Sequence, residues 1–311
     1  MNSNSKIFII KKHELQGLIK KNINYFDSLY IIGRMKFGNF IISINNAIIF
    51  CEFFHCKRII MQSYKNIFIN NKIVYQKHNL TIDHNSNITY NNYSLVKSLA
   101  FFYFQVNFTC LGNINRFHIF REEIINNLPK VNIHPDDLYI YIRGGDIFKI
   151  LNRSSKSYGQ PPLCFYRNVL KKFKFRKIRI ISQDKLNPIL ILLKQLYHVK
   201  FVKNNIKLDI SYLVSSYNII SAKSSFIVSI VKLNNNLKFL WEYDFYKLSE
   251  RYLQLHYSVY TFSFKYKIYL MKASEKYKKL MFPFINSQRQ RELMKKENCD
   301  DNFYIIPPRI F

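Results

Sequence analysis

The chain has 311 residues, 48% of them hydrophobic and 17% aromatic, and a formal net charge of +29. So apolar a composition excludes a disordered polyelectrolyte, and the length suits one large domain or two modest ones. Every apolar run stops short of the ~18 residues a bilayer-spanning helix needs, so no segment reads as one.

The charge has a plain source. Lys, Asn, Ile, Tyr and Phe are abundant while Gly, Ala, Pro and Trp are scarce, the bias of an AT-rich coding sequence. The basic residues are spread along the chain and read first as solvated surface lysines, although a basic surface also suits a phosphate-bearing partner. The five cysteines (Cys51, Cys56, Cys110, Cys164 and Cys299) include no Cys-x-x-Cys pair, and His55 finds no second ligand pair at zinc-site spacing. Free buried thiols are the default expectation, with one disulfide left open for a secretory chain. Residues 1–12 lack the apolar core of a signal peptide.

In chain order, the run 28–32 predicts a short strand ending in a glycine turn. Helical spacing at Ile41, Ile44, Ile48 and Cys51 predicts a helix over 40–54, and 57–61 predicts the next strand. Residues 63–92 are polar and Asn-rich, a variable loop with short strands at most. Pro129 and Pro135 interrupt the pattern and place a boundary within 126–137. Buried-strand patterns follow at 138–142, 177–181, 199–202 and 217–220, alternating with helices over 163–173, 187–197, 208–215 and 225–233. Strands and helices alternating in this way predict a parallel α/β architecture. The domains expected are 1–127 and 128–262, both α/β, followed by a basic, helical tail over 263–311.

Five of the seven glycines fall in three short segments: Gly33 and Gly38, Gly144 and Gly145, and Gly159. The second pair follows directly on an apolar strand, in Arg143-Gly144-Gly145-Asp146. A tight turn there puts polar groups at the carboxyl edge of a parallel sheet, where open α/β folds bind ligands. Arg143 has a fork that suits bidentate contact with phosphate, the glycines permit close backbone approach, and Asp146 can orient Arg143 or cap the turn. At the end of the strand 177–181, Ser182 and Asp184 suit a ribose or base, or cap the next helix. Asp209 opens the third helix of this half. Ser224 and Ser225 begin the last one, where backbone N–H groups and Lys223 form a ready anion site, with Phe226 beside them.

These segments, in the order GR-x-x-FGN, YIRGGDIF, YGQPPLCFY, IRIISQD and NIISAKSSFIVSIV, resemble the GDP-fucose-dependent fucosyltransferases, the α1,2-, α1,6- and protein O-fucosyltransferases. The resemblance covers about two thirds of the chain. It implies a GT-B fold, two Rossmann-like domains facing each other across a cleft, with an acceptor-side domain before residue 128 and a donor domain after it. It implies inverting transfer of fucose to a glycan or glycoprotein hydroxyl, with Arg143 stabilising the leaving pyrophosphate, no metal or other cofactor, and GDP-fucose as donor substrate. On the family's Arg-bearing motif, Tyr141 replaces a histidine and Gly144 the second arginine. Gly38, Asn39, Tyr141, Gly144, Gly145, Asp146, Asp184, Asp209, Lys223, Ser224, Ser225 and Phe226 are the implied donor contacts. No general base is identified: Glu52, Glu122 and Glu123 read as surface charges.

The family's eukaryotic members work in the secretory pathway, in the Golgi or endoplasmic reticulum, whereas the start of this chain carries no signal and leaves a cytoplasmic enzyme open. Two other readings stand beside the transferase. One is a basic nucleic-acid-binding protein whose Phe and Tyr residues stack bases; their place within apolar patterns argues for core instead, so no specific nucleic-acid partner is expected. The other is a catalytically inactive relative, suggested by Tyr141 and Gly144. The basic tail could pack on the first half or touch an anionic membrane.

Overall fold

A computed structural model of the chain describes residues 28–31, 37–53, 57–61, 72–75, 80–84, 117–152, 159–197, 199–201, 204–222, 224–245 and 265–306. They belong to two compact units, Met1–Leu128 and Pro129–Phe311.

In the first unit, strand β1 (Ser28–Ile31) leads through helix α1 (Phe37–Phe53) to β2 (Arg58–Met61), the expected parallel βαβ step. Strands β3 (Lys72–Tyr75) and β4 (Leu80–His84) complete a four-stranded sheet of order β1-β2-β4-β3, with β3 antiparallel at the edge. Ile41, Ile44 and Ile48 are fully buried, as their spacing requires of the core face of α1. Helix α2 (Phe117–Asn126) closes this unit, burying Phe120 and Ile124.

The second unit is built on a seven-stranded sheet. Its elements, in order, are β5 (Asp137–Tyr141), the single turn α3 (Asp146–Lys149), α4 (Leu163–Lys172), β6 (Lys177–Ile181), α5 (Pro188–Tyr197), β7 (Lys200–Phe201), α6 (Ile206–Ser215), β8 (Asn218–Ile220), α7 (Ser225–Leu233), β9 (Phe239–Asp244), β10 (Lys267–Lys272), α8 (Glu275–Met281), α9 (Gln288–Lys296) and β11 (Tyr304–Ile306). The sheet order is β11-β10-β9-β8-β5-β6-β7; β5 to β10 are all parallel and β11 is antiparallel at the edge. Counted from β5, the parallel strands run third, second, first, fourth, fifth, sixth, the order of doubly wound nucleotide-binding sheets.

The burial of β5 follows from that order. As the central strand it is covered on both faces, so all of Asp137–Tyr141 is buried. On one face Leu138, Ile140 and Ile142 pack with Phe165, Tyr166 and Val169 of α4 and Leu190 and Leu193 of α5. On the other, Tyr139 stacks on Tyr212 of α6 at 5.7 Å and Tyr141 meets Phe226 of α7 at 5.2 Å. The crossover from β7 back to β8 reverses the direction of winding. A right-handed connection then places α6 and α7 opposite α4 and α5.

Three findings differ from or add to the sequence reading. The segment after residue 262 is not helical throughout: β10 extends the parallel sheet and β11 caps its edge. Lys-Ile-Tyr-Leu-Met-Lys is a four-residue apolar run between lysines, a pattern that also suits a helix turn. Second, Phe239–Asp244 forms a strand, although Glu242 and Asp244 break its apolar pattern. Third, Cys164 and Cys299 are joined in a disulfide, 135 residues apart, whereas Cys51 is a buried free thiol. Cys56 and Cys110 lie outside the described residues. Among the described residues no helix is long and apolar enough to cross a membrane.

Candidate functional site

Where the winding reverses, the loops leaving β5 and β8 part in opposite directions at the carboxyl ends of neighbouring strands, the position where open α/β sheets bind ligands. The loop after β5 is Ile142–Gly145 and the loop after β8 is Ser221–Ser224. Tyr141 joins their two sides: its hydroxyl lies 3.4 Å from Ser224 Oγ, and its ring packs on Phe226. Tyr141, Arg143, Gly144, Gly145, Asp146, Ser224, Ser225 and Phe226 are therefore brought to this switch point by two segments about 80 residues apart, as the hydrogen bond's sequence separation of 83 records.

Arg143 is held at both its side chain and its backbone. Its Nη2 donates to Asp146 Oδ1 at 2.9 Å, and the guanidinium side chain is 11% exposed against 50% for Asp146. Its carbonyl accepts from Asn187 Nδ2 at 3.0 Å. The next turn is fixed by Asp184, whose Oδ2 accepts from Gly145 N at 2.7 Å and whose Oδ1 accepts from Leu186 N at 2.9 Å. Asn187 also uses Oδ1 to accept from Ile189 N, the cap of α5. One short turn, from β6 to α5, thus caps its own helix and clamps the arginine loop.

The glycine pair has its reason in the same turn. A Cβ on Gly144 would lie 2.7 Å from Asp184 Oδ1 and 3.1 Å from Ser182 Oγ. Gly145 stands at φ +72°, and a Cβ there would collide with the Gln183 carboxamide. Close approach is required by the protein's own β6–α5 turn, where the sequence suggested a ligand. Gly159 likewise backs onto aromatic rings, a Cβ meeting Phe282 at 2.9 Å and Phe245 at 3.2 Å.

On the β8 side, Ser224 is the N-cap of α7, its Oγ accepting from Phe226 N at 3.0 Å. The first-turn amides of such a helix have no intrahelical acceptors and carry its positive dipole end. Ser221 Oγ donates to Glu242 Oε1 at 3.0 Å, tying the loop to the end of β9.

The remaining candidates lie elsewhere or cannot be placed. Asp209 belongs to the first turn of α6, entered from β7, two strands away from β5. It accepts from Asn204 Nδ2 at 3.0 Å, and burial pushes its carboxyl up from the ordinary 3.8 to about 6, against the opposing effect of that hydrogen bond. Gly38 and Asn39 fall in the first turn of α1, in the other compact unit. Lys223 lies outside the described residues, as do Gly33–Lys36. Of the carboxylates considered as bases, Glu122 is exposed and pairs with Arg121. Sequence reasoning missed Asn187 and Glu242. Asn-Pro before an apolar run is a readable helix-start signal, but the bond from Asn187 to Arg143 spans 44 residues and leaves no local trace.

In comparison with known proteins, no family model, no curated protein and no solved structure was found to match the chain.

Proposed function

We propose that the chain is a glycosyltransferase of the fucosyltransferase type, which takes a deoxyhexose from a GDP-linked donor held at the β5/β8 switch point. One observation carries this reading: Arg143, clamped by Asp146, Asn187 and the Asp184-bound turn, stands at the carboxyl end of the central strand, across from the N-terminus of α7. A guanidinium and a helix start on two sides of one crevice suit a pyrophosphate. Two Rossmann-like units facing each other as in the GT-B fold belong to the same proposal.

The chemistry is a displacement at the anomeric carbon. The bond from that carbon to the β-phosphate oxygen loosens through an oxocarbenium-like state while an acceptor hydroxyl oxygen adds from the opposite face. GDP leaves with the bonding electron pair, and the hydroxyl proton is released. Arg143 opposes the negative charge growing on the leaving diphosphate, the electrostatic contribution that usually dominates such catalysis. Asp184 and Asn187 act through Arg143, as positioning residues.

The test is donor turnover. With GDP-fucose and either a glycan acceptor or water, the protein should release GDP, and Arg143→Ala should slow release by ~10²–10³-fold, the loss seen when one such charge-stabilising donor is removed. Equal turnover in the variant would sink the assignment of Arg143.

A further inference from the structure

The amino ends of the parallel strands form the opposite rim of the seven-stranded sheet, and hydrogen bonds link one strand entry to the next across it. Lys267 N donates to Lys238 O at 2.9 Å, and Lys238 N donates to Tyr217 O at 2.8 Å. Asn218 Nδ2 donates to the carbonyls of Pro135 and Asp137, at 2.6 and 3.0 Å, and Arg176 N donates to Asp136 O at 2.9 Å. These links set Lys265, Lys267, Lys238, Arg176, Lys177 and Lys174 along one edge, all of them exposed.

Arg176 is committed to buried Asp137 at 2.8 Å, and no carboxylate among the described residues pairs with the five lysines. Lys238 lies over the Tyr217 ring, 5.3 Å from its centroid. Asp136 is the exposed acid of this row. Among the described residues the carboxyl rim differs: Arg143, Lys185 and Lys272 share it with Asp146, Asp184, Glu242 and Asp244. A coding bias toward lysine would load both rims alike and does not explain this difference between their described residues.

We infer that this amino-end rim is a docking surface for the phosphate backbone of a nucleic acid, read without regard to base sequence. From β10 to β6 the row crosses four strand spacings, ~19 Å at ~4.8 Å each, and a duplex presents one phosphate per ~1.7 Å of its axis. The row is linear, as a strand of phosphates is. Among the described residues, the exposed large hydrophobic side chains nearest this edge, Tyr304 and Ile305 of β11, lie outside the row, and none stands between the lysines to enter a membrane interface. The surface is independent of the transferase reading, because it lies on the rim away from Arg143.

Anisotropy titration of the full chain with a mixed-sequence DNA duplex, between about 50 and 200 mM salt, tests this. Five phosphate contacts predict a slope of log K against log salt of about −4.5. The combined Lys177→Gln, Lys238→Gln and Lys267→Gln variant should flatten it to about −1.8. A second variant, Lys149→Gln, Lys185→Gln and Lys276→Gln, removes as many exposed lysines elsewhere and should retain most of the wild-type slope. Equal flattening in both variants would mean binding by net charge alone and overturn the inference. Failure to bind the duplex would overturn it too, and so would binding confined to phosphatidylserine vesicles.

Discussion

At Gly145 the backbone adopts φ +72° against the Gln183 side chain, so alanine there meets a left-handed conformation and a collision together. Gly145→Ala should lower unfolding free energy by about 2 kcal/mol in urea denaturation, mostly through backbone strain. An unchanged midpoint would mean the turn relaxes freely. Asp209 makes a second prediction at this scale. Its folded-state carboxyl is raised to about 6 while the unfolded value stays near 3.8. The folded chain therefore binds the proton more tightly, and the group's favourable contribution is complete below about pH 4 and lost as pH rises through about 6. Comparison of urea midpoints at pH 4 and pH 7 should show a loss of up to about 2 kcal/mol in wild type that Asp209→Asn lacks.

The β6–α5 turn shows how far single elements were legible. The strand 177–181 agrees with β6 in both its ends, and the helix 225–233 with α7, because each has a clean apolar period bounded by polar caps. The turn between β6 and α5 showed Ser182 and Asp184 as cap or ligand candidates. It could not show that Asp184 reaches Gly145, 39 residues earlier in the chain, because that contact exists only once β5 and β6 pair. Asn187→Ser separates the turn's two duties. Serine still caps α5 but cannot reach the Arg143 carbonyl, so stability should fall by less than ~1 kcal/mol. GDP affinity should drop several-fold more than that change in folding explains; calorimetry beside thermal melting checks both. The Cys164–Cys299 bond ties α4 to the stretch before β11, where Asn168 Nδ2 also donates to Asp300 O at 3.3 Å. Closing so long a loop predicts a loss of about 2–5 kcal/mol on reduction or in Cys299→Ser, read from denaturation with and without reductant. Sequence could not choose this pair: cysteine spacing carries no pairing information.

For the whole molecule, strand order decides where chemistry can occur. The run of predicted strands and helices made a parallel α/β sheet legible, because alternation of the two periods is a local property. Their order is not local. The return of the chain from β7 to the far side of β5 places the loops after β5 and β8 side by side. The strands β9 and β10, hidden by charged or ambiguous patterns, widen the sheet and carry Glu242 and the amino-end lysines. The same order separates a carboxyl rim, where Arg143 stands, from an amino rim rich in lysine. The most direct measurement is calorimetric titration of wild type and Arg143→Ala with GDP and with UDP. The account predicts that wild type binds GDP in preference to UDP and that the arginine variant, still folded by circular dichroism, loses at least tenfold in GDP affinity. Wild type that ignores GDP, or a variant that binds it undiminished, would contradict the placement of a nucleotide at the β5/β8 switch point.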